Sequence, residues 1–229
     1  MIPALFNYFG GKGRLSALYP PPRYDLIVES HAGGAGYARR HHERDVLLVD
    51  SDPRVIRVWD YLIRSTKDEI LALPLMTPGQ TIDELEVSDA ARLYLSCCVN
   101  TTAFRRTLTS WKNGQSGGLW GEDMRRRVAD SVHLIKHWRT ICADCQTLGN
   151  AEATWFVDPP YQGMGMHYKN GTVDYPSLAK WCRARQGQVI VCEKQGADWL
   201  PFQFLTDARA MSRTGDGNRR SAEVYWTNG

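Results

Sequence analysis

The chain has 229 residues, 43% hydrophobic and 23% charged, with a formal net charge of +3. That is ordinary for a water-soluble globular protein with a sizeable core, and too mildly basic for charge alone to require a nucleic-acid partner. No apolar run reaches membrane-span length and the N-terminus lacks a signal-peptide pattern, so a cytoplasmic protein is expected.

The first informative stretch is "FNYFGGKGRL", which sets Tyr8, Gly11 and Lys12 around a Gly-Gly turn. A turn before a helix would look the same. "DLIVES" (Asp25 to Ser30) then reads as a buried strand ending in Glu29, followed by glycines 33, 34 and 36 at a helix start. Glycines there admit a ligand close to the backbone, beside unsatisfied N–H groups. The spacing is not G-x-G-x-x-G, so a dinucleotide phosphate cradle is not expected. "DVLLVD" (Asp45 to Asp50) is a second strand, and its terminal Asp50 could accept both hydroxyls of a ribose. A helix follows from Pro53 to Ser65, with proline in its first turn.

From about residue 87 to 148 no strand is expected. "SDAARLYLSCCVN" reads as a helix capped by Ser88 or Asp89, and "EDMRRRVADSVHLIKHW" as one further helix. The polar loop between them, "TSWKNGQSGGLWG", interleaves Trp111 and Trp120 with Lys112, Asn113 and Gln115. Six cysteines, two of them adjacent (Cys97 and Cys98), do not make a disulfide framework. His133, His137, Cys142 and Cys145 could supply four zinc ligands, but four residues between His137 and Cys142 demand a very sharp fold-back. Buried thiols beside a helix are the preferred reading, and no metal is expected.

The third strand, "TWFVDPP", ends in an acid and two prolines, which stop a ladder and stiffen the turn. Asp158, Pro159, Pro160 and Tyr161 thereby hold a carboxylate, a carbonyl and a ring in fixed relation. "GMGMHYKNGTVDY" reads as a lid carrying Tyr168 as a substrate contact. "QVIVCE" (Gln188 to Glu193) and "AEVYWTN" (Ala222 to Asn228) complete the strands, and "RTGDGNRRS" offers Arg219 and Arg220 to a polyanion. Alternating strands and helices predict an α/β, doubly wound, mostly parallel sheet with a small helical insertion. Residues 1–70 and 150–229 form the expected core, and 71–149 the insertion.

Through "NYFGGK", "VESHAGGAG", "LLVDSDP", "FVDPPY" and "AEVYWTN", nearly the whole chain resembles the Dam-like DNA adenine methyltransferases. The resemblance implies a class I methyltransferase fold, with S-adenosylmethionine (SAM) as methyl donor and double-stranded DNA as partner. It implies cofactor contacts at Tyr8, Gly11, Lys12, Glu29, Gly33, Asp50 and Asp158, and catalysis at Asp158 to Tyr161. Arg105, Arg106, Lys112, Asn113, Tyr168, Arg219 and Arg220 are the expected DNA contacts. The family's Glu-Pro-Phe is Glu29-Ser30-His31 here, which puts an imidazole where an aromatic ring packs beside the methionine end of the cofactor. The same chemistry would serve the exocyclic amine of cytosine, and a regulator that binds SAM and DNA without turnover is a further alternative. A monomer or weak dimer is expected.

Overall fold

In the computed structural model, residues 1–77, 79–99, 104, 120–163, 173–209 and 220–229 are described, with only the backbone at 208, 209, 220 and 221. The strands are β1 (Leu26–Glu29), β2 (Asp45–Asp50), β3 (Arg139–Cys142), β4 (Ala153–Val157), β5 (Gly187–Lys194), β6 (Gln203–Arg209) and β7 (Arg220–Thr227). They form one sheet in the order β3-β2-β1-β4-β5-β7-β6. The first five strands run parallel, while β7 runs antiparallel to both β5 and β6. This is the strand order of the class I SAM-dependent methyltransferase fold.

Side chains alternate between two apolar layers, as a pleated strand requires. Ile27, Leu48, Phe156 and Ile190 join one layer. Val28, Val49, Trp155, Val157 and Val191 join the other. The first layer is covered by α1 (Gly36–Arg40), α2 (Pro53–Arg64), α3 (Lys67–Leu71), α4 (Asp89–Cys98) and α5 (Glu122–Ala129), and the second by α6 (Tyr175–Arg183). Burial on both faces explains why β1, β2, β4 and β5 read as continuous apolar runs. Among the described residues, no helix is long and apolar enough to cross a membrane.

The helix starts have local causes. Asp52 caps α2 by accepting from the Arg54 amide (2.9 Å), with proline in the first turn. Thr66 and Glu69 form a reciprocal capping box on α3, and Ser88 accepts from the Ala91 amide at the start of α4.

Three expectations are corrected. A sheet strand, β3, lies within residues 87–148 and so within the range 71–149 assigned to the helical insertion. Being a four-residue edge strand with Ile141 40% exposed, it lacks the apolar run of its neighbours. Second, the single helix expected after Gly121 ends at Ala129, and a 3-10 turn, Val132–Ile135, follows. Val128, Val132 and Ile135 keep helical spacing and stay buried. However, the Lys136 ammonium bonds the Ile63 (2.7 Å) and Ser65 carbonyls at the end of α2, and His137 Nε2 lies 3.0 Å from the Arg44 carbonyl. Those long-range contacts turn the chain toward β2. Third, β6 is a further edge strand that the sequence pattern does not announce, with Phe204 63% exposed.

Candidate functional site

The chain leaves β1 toward β2 on one side, and returns after β3 to β4 on the other. The crevice between the carboxyl ends of β1 and β4 is therefore the topological switch point of the sheet, where open α/β folds bind ligands. Asp158 directly follows β4, and residues 30–36 directly follow β1.

The Asp158 side chain is 17% exposed, and its Oδ1 is shut off from solvent with no aligned hydrogen bond among the described residues. The Lys12 ammonium lies 2.9 Å from that oxygen as an ion pair, itself only 6% exposed, and donates to the Gly10 carbonyl at 2.9 Å. Burial raises the Asp158 pKa above its ordinary value despite Lys12. Burial by itself would depress Lys12, but the field of Asp158, with Glu223 among the further contributors, outweighs it and keeps the amine protonated.

Each following residue of the turn is held by a different element. The Pro160 carbonyl accepts from the Tyr175 hydroxyl at 2.9 Å, at the start of α6. The Tyr161 hydroxyl donates to Glu223 Oε2 on β7 at 2.5 Å, and Lys12 Nζ sits 4.7 Å from its ring centroid. The Gln162 amide donates to Glu193 Oε2 at the end of β5 (3.0 Å), an oxygen that also accepts from the Trp199 indole. By contrast, the Pro159 carbonyl accepts no hydrogen bond among the described residues. Two adjacent acceptors, the Asp158 carboxylate paired with Lys12 and the Pro159 carbonyl, thus stand beside a Pro160 carbonyl, a Tyr161 hydroxyl and a Gln162 amide that are each bonded to another element.

On the β1 side, Gly33 has φ +42°, its amide donates to Asp50 Oδ2 (3.0 Å), and its carbonyl accepts from the Trp59 indole. A Cβ on Gly33 would lie 2.7 Å from the Tyr8 ring, so the glycine is required both by conformation and by contact. Asp50 Oδ1 accepts the Asp52 amide at 2.9 Å, and burial raises the Asp50 pKa. Each carboxylate oxygen has a second lone pair, so two donors from a ligand can still be accepted. Gly11 closes the N-terminal turn through its amide on the Tyr8 carbonyl (3.4 Å).

Glu29 is only 2% exposed, and its Oε2 accepts from the Ala38 amide in α1 (2.9 Å). Burial pushes its pKa up to about 8. In this geometry it supports the glycine turn from beneath. His31 has its Nδ1 3.1 Å from the Ser30 hydroxyl and its Nε2 3.9 Å from Cys145 Sγ, and burial lowers its pKa to about 4, leaving it neutral near pH 7. Of the zinc candidates, Cys145 therefore turns to His31, His137 to Arg44, and Cys142 stands exposed on β3. Among the described residues no group of His, Cys, Asp or Glu is arranged to hold a metal.

Tyr8, Gly11, Lys12, Gly33, Asp50 and Asp158 to Tyr161 are thus all placed at or beside the switch point. Arg105, Arg106, Lys112, Asn113, Tyr168 and Arg219 lie outside the described residues, as does the Arg220 side chain. Sequence reasoning missed Glu193 and Glu223 as partners of the turn. Glu193 did carry the signal used for Asp50 and Asp158, an acid closing an apolar strand.

No family model and no curated protein matches the chain. Among solved structures, one from Pseudomonas syringae, provisionally described as a methyltransferase, shares 13% identity with a TM-score of 0.41, over 94% of this chain and 96% of that one. A conserved hypothetical protein of Streptococcus pyogenes shares 8% at TM-score 0.39, over 89% and 86% of the two chains. An Escherichia coli protein, also provisionally described as a methyltransferase, shares 9% at TM-score 0.32, over 87% and 73%. At this level the similarities carry no weight for activity. The fold rests on the strand order, and the site on its geometry.

Proposed function

We propose that the chain is a SAM-dependent methyltransferase acting on the exocyclic amine of adenine in double-stranded DNA. The observation that carries this reading is the pair of adjacent acceptors at the end of β4, the buried Asp158 carboxylate, paired with Lys12, and the Pro159 carbonyl, which accepts no hydrogen bond among the described residues. The residues present fit the cofactor. Asp50 would take the ribose hydroxyls, the Gly33 turn and Tyr8 would receive the nucleoside end, and His31 would lie beside the methionine end. When bound, SAM supplies an electrophilic methyl on a sulfonium sulfur.

An adenine amine is a poor nucleophile because its lone pair is delocalised into the ring. Acceptors on both its hydrogens draw the nitrogen toward a tetrahedral shape and free that lone pair. Positive charge then grows on nitrogen as it attacks, so a fixed carboxylate stabilises the transition state more than the ground state. The prolines keep the two acceptors from drifting, and Tyr161 provides a ring against which a base can stack. A paired base cannot reach this turn, so the target has to be flipped out of the duplex.

The test is transfer of tritium from labelled SAM to plasmid DNA grown in a methylation-deficient host, followed by mapping of methylated bases. Asp158→Ala should keep its circular dichroism spectrum and lose about 100-fold or more in turnover. A variant with near-parental turnover removes Asp158 from the chemistry, and label on cytosine in place of adenine overturns the choice of base.

A further inference from the structure

We propose that Glu223, on the last strand of the sheet, is a positioning residue that holds Tyr161 against the reacting base. The proposal rests on the methyltransferase reading of the same site. Tyr161 immediately follows the two prolines, so its backbone is constrained by the turn, but nothing in that turn restrains its side chain. The restraint comes from a distant part of the chain. The Tyr161 hydroxyl donates to Glu223 Oε2 at 2.5 Å, across 62 residues of sequence.

Glu223 is itself fixed. It is 8% exposed and pairs with Lys194 in the β5–β7 ladder, so its backbone belongs to the sheet and not to a loop. A buried carboxylate needs partners, and a hydroxyl that donates to one makes a short charge-assisted hydrogen bond. Glu223 and Tyr161 therefore satisfy each other. With Lys12 Nζ over the ring, 4.7 Å from its centroid, the ring is restrained at its hydroxyl and on one face. A stacking platform works only when its tilt is set in advance, because a displaced base carries its amine away from Asp158 and Pro159. Glu223 touches neither base nor cofactor in this account. It acts through the tyrosine.

Five proteins decide this: the parent, Glu223→Gln, Glu223→Ala, Tyr161→Phe and the Tyr161→Phe/Glu223→Ala double variant. With plasmid DNA as substrate, Glu223→Ala should lower kcat by about 10-fold while leaving SAM affinity by calorimetry within about 2-fold. Glu223→Gln keeps an acceptor oxygen and should return to within about 3-fold of the parent. Adding Glu223→Ala to Tyr161→Phe should cause no further loss, because both changes break one contact. A melting temperature that drops with unchanged kcat, or an additive loss in the double variant, overturns the proposal.

A measurement independent of turnover separates this idea from the reading beneath it. With 13C at tyrosine Cζ, the resonance that disappears in Tyr161→Phe should shift in Glu223→Gln and shift further in Glu223→Ala. An unmoved resonance overturns the role of Glu223 whatever the substrate is. Absence of methyl transfer by the parent overturns the methyltransferase reading, and with it the stacking role claimed for Tyr161.

Discussion

Single carboxylates at strand ends carry different jobs, distinguished by what surrounds them. Asp50 is bonded to two backbone amides yet retains lone pairs at the mouth of the crevice. Asp50→Ala should weaken SAM binding by roughly 1.5–3 kcal/mol, the range for a hydrogen bond to a charged group. Asp50→Asn, which keeps one acceptor, should fall between, and calorimetry showing equal affinity for all three would remove the nucleoside from this edge. Glu29 is buried, with its pKa raised from 4.5 to about 8. The folded state therefore binds the proton more tightly than the unfolded state. The contribution of Glu29 is fully present below its unfolded pKa and is lost as pH rises through about 8, with a slope of up to ~1.4 kcal/mol per pH unit in between. Chemical denaturation of the parent and Glu29→Gln across pH 5 to 8 reads this directly. The variant should lack the decline attributable to this group, and parallel curves would mean that Glu29 titrates normally.

At the scale of elements, the N-terminal segment lies on the glycine turn after β1, and that contact carries Lys12 to Asp158. A Cβ on Gly36 would lie 2.7 Å from the Gly13 nitrogen and 2.8 Å from the Lys12 carbonyl carbon, both backbone atoms. Arg39 reinforces the same junction from below, donating through Nε to the Gly34 carbonyl and through Nη1 to the Ile2 carbonyl. Gly36→Ala should thus cost about 1–3 kcal/mol of stability through overpacking. It should also lower methyl transfer in the fraction that remains folded, since the segment that bears Lys12 has to move. Gly149, where an added Cβ meets nothing within 4 Å, is the control position. Equal melting temperatures for Gly36→Ala and Gly149→Ala would show that the segment yields without strain.

For the whole molecule, the proposed function requires a DNA-contacting surface in addition to the switch point. We propose that Arg105, Arg106 and Lys112 contact phosphates. Replacing all three with alanine should weaken DNA binding and flatten the dependence of log affinity on log salt by about 0.9 per lost contact. SAM affinity should stay unchanged, because the proposed cofactor contacts, Tyr8, Gly33 and Asp50, meet one another at the glycine turn after β1. An unchanged salt slope in a folded variant would shift the proposed DNA contacts to Arg219 and Arg220.

Local patterns in the sequence determined the buried parallel strands, because strands covered on both faces must be apolar throughout. They also determined the start of α2 and α4, where a capping side chain precedes the helix, and the rigid turn at Asp158, where two prolines leave the backbone little choice. Edge strands were a different matter. β3 and β6 are half-solvated, so their side chains obey no clear alternation, and only pairing with β2 and β7 makes them strands. The break after Ala129 was likewise decided by Lys136 and His137 reaching carbonyls of α2 and the β2 approach. Most of all, tertiary structure decided what each strand-end acid does. Sequence placed Glu29, Asp50, Asp158 and Glu193 at similar positions. Burial and partners from distant segments made one a helix support, one an acceptor anchored on two backbone amides, one the ion-pair partner of Lys12, and one the clamp on Gln162.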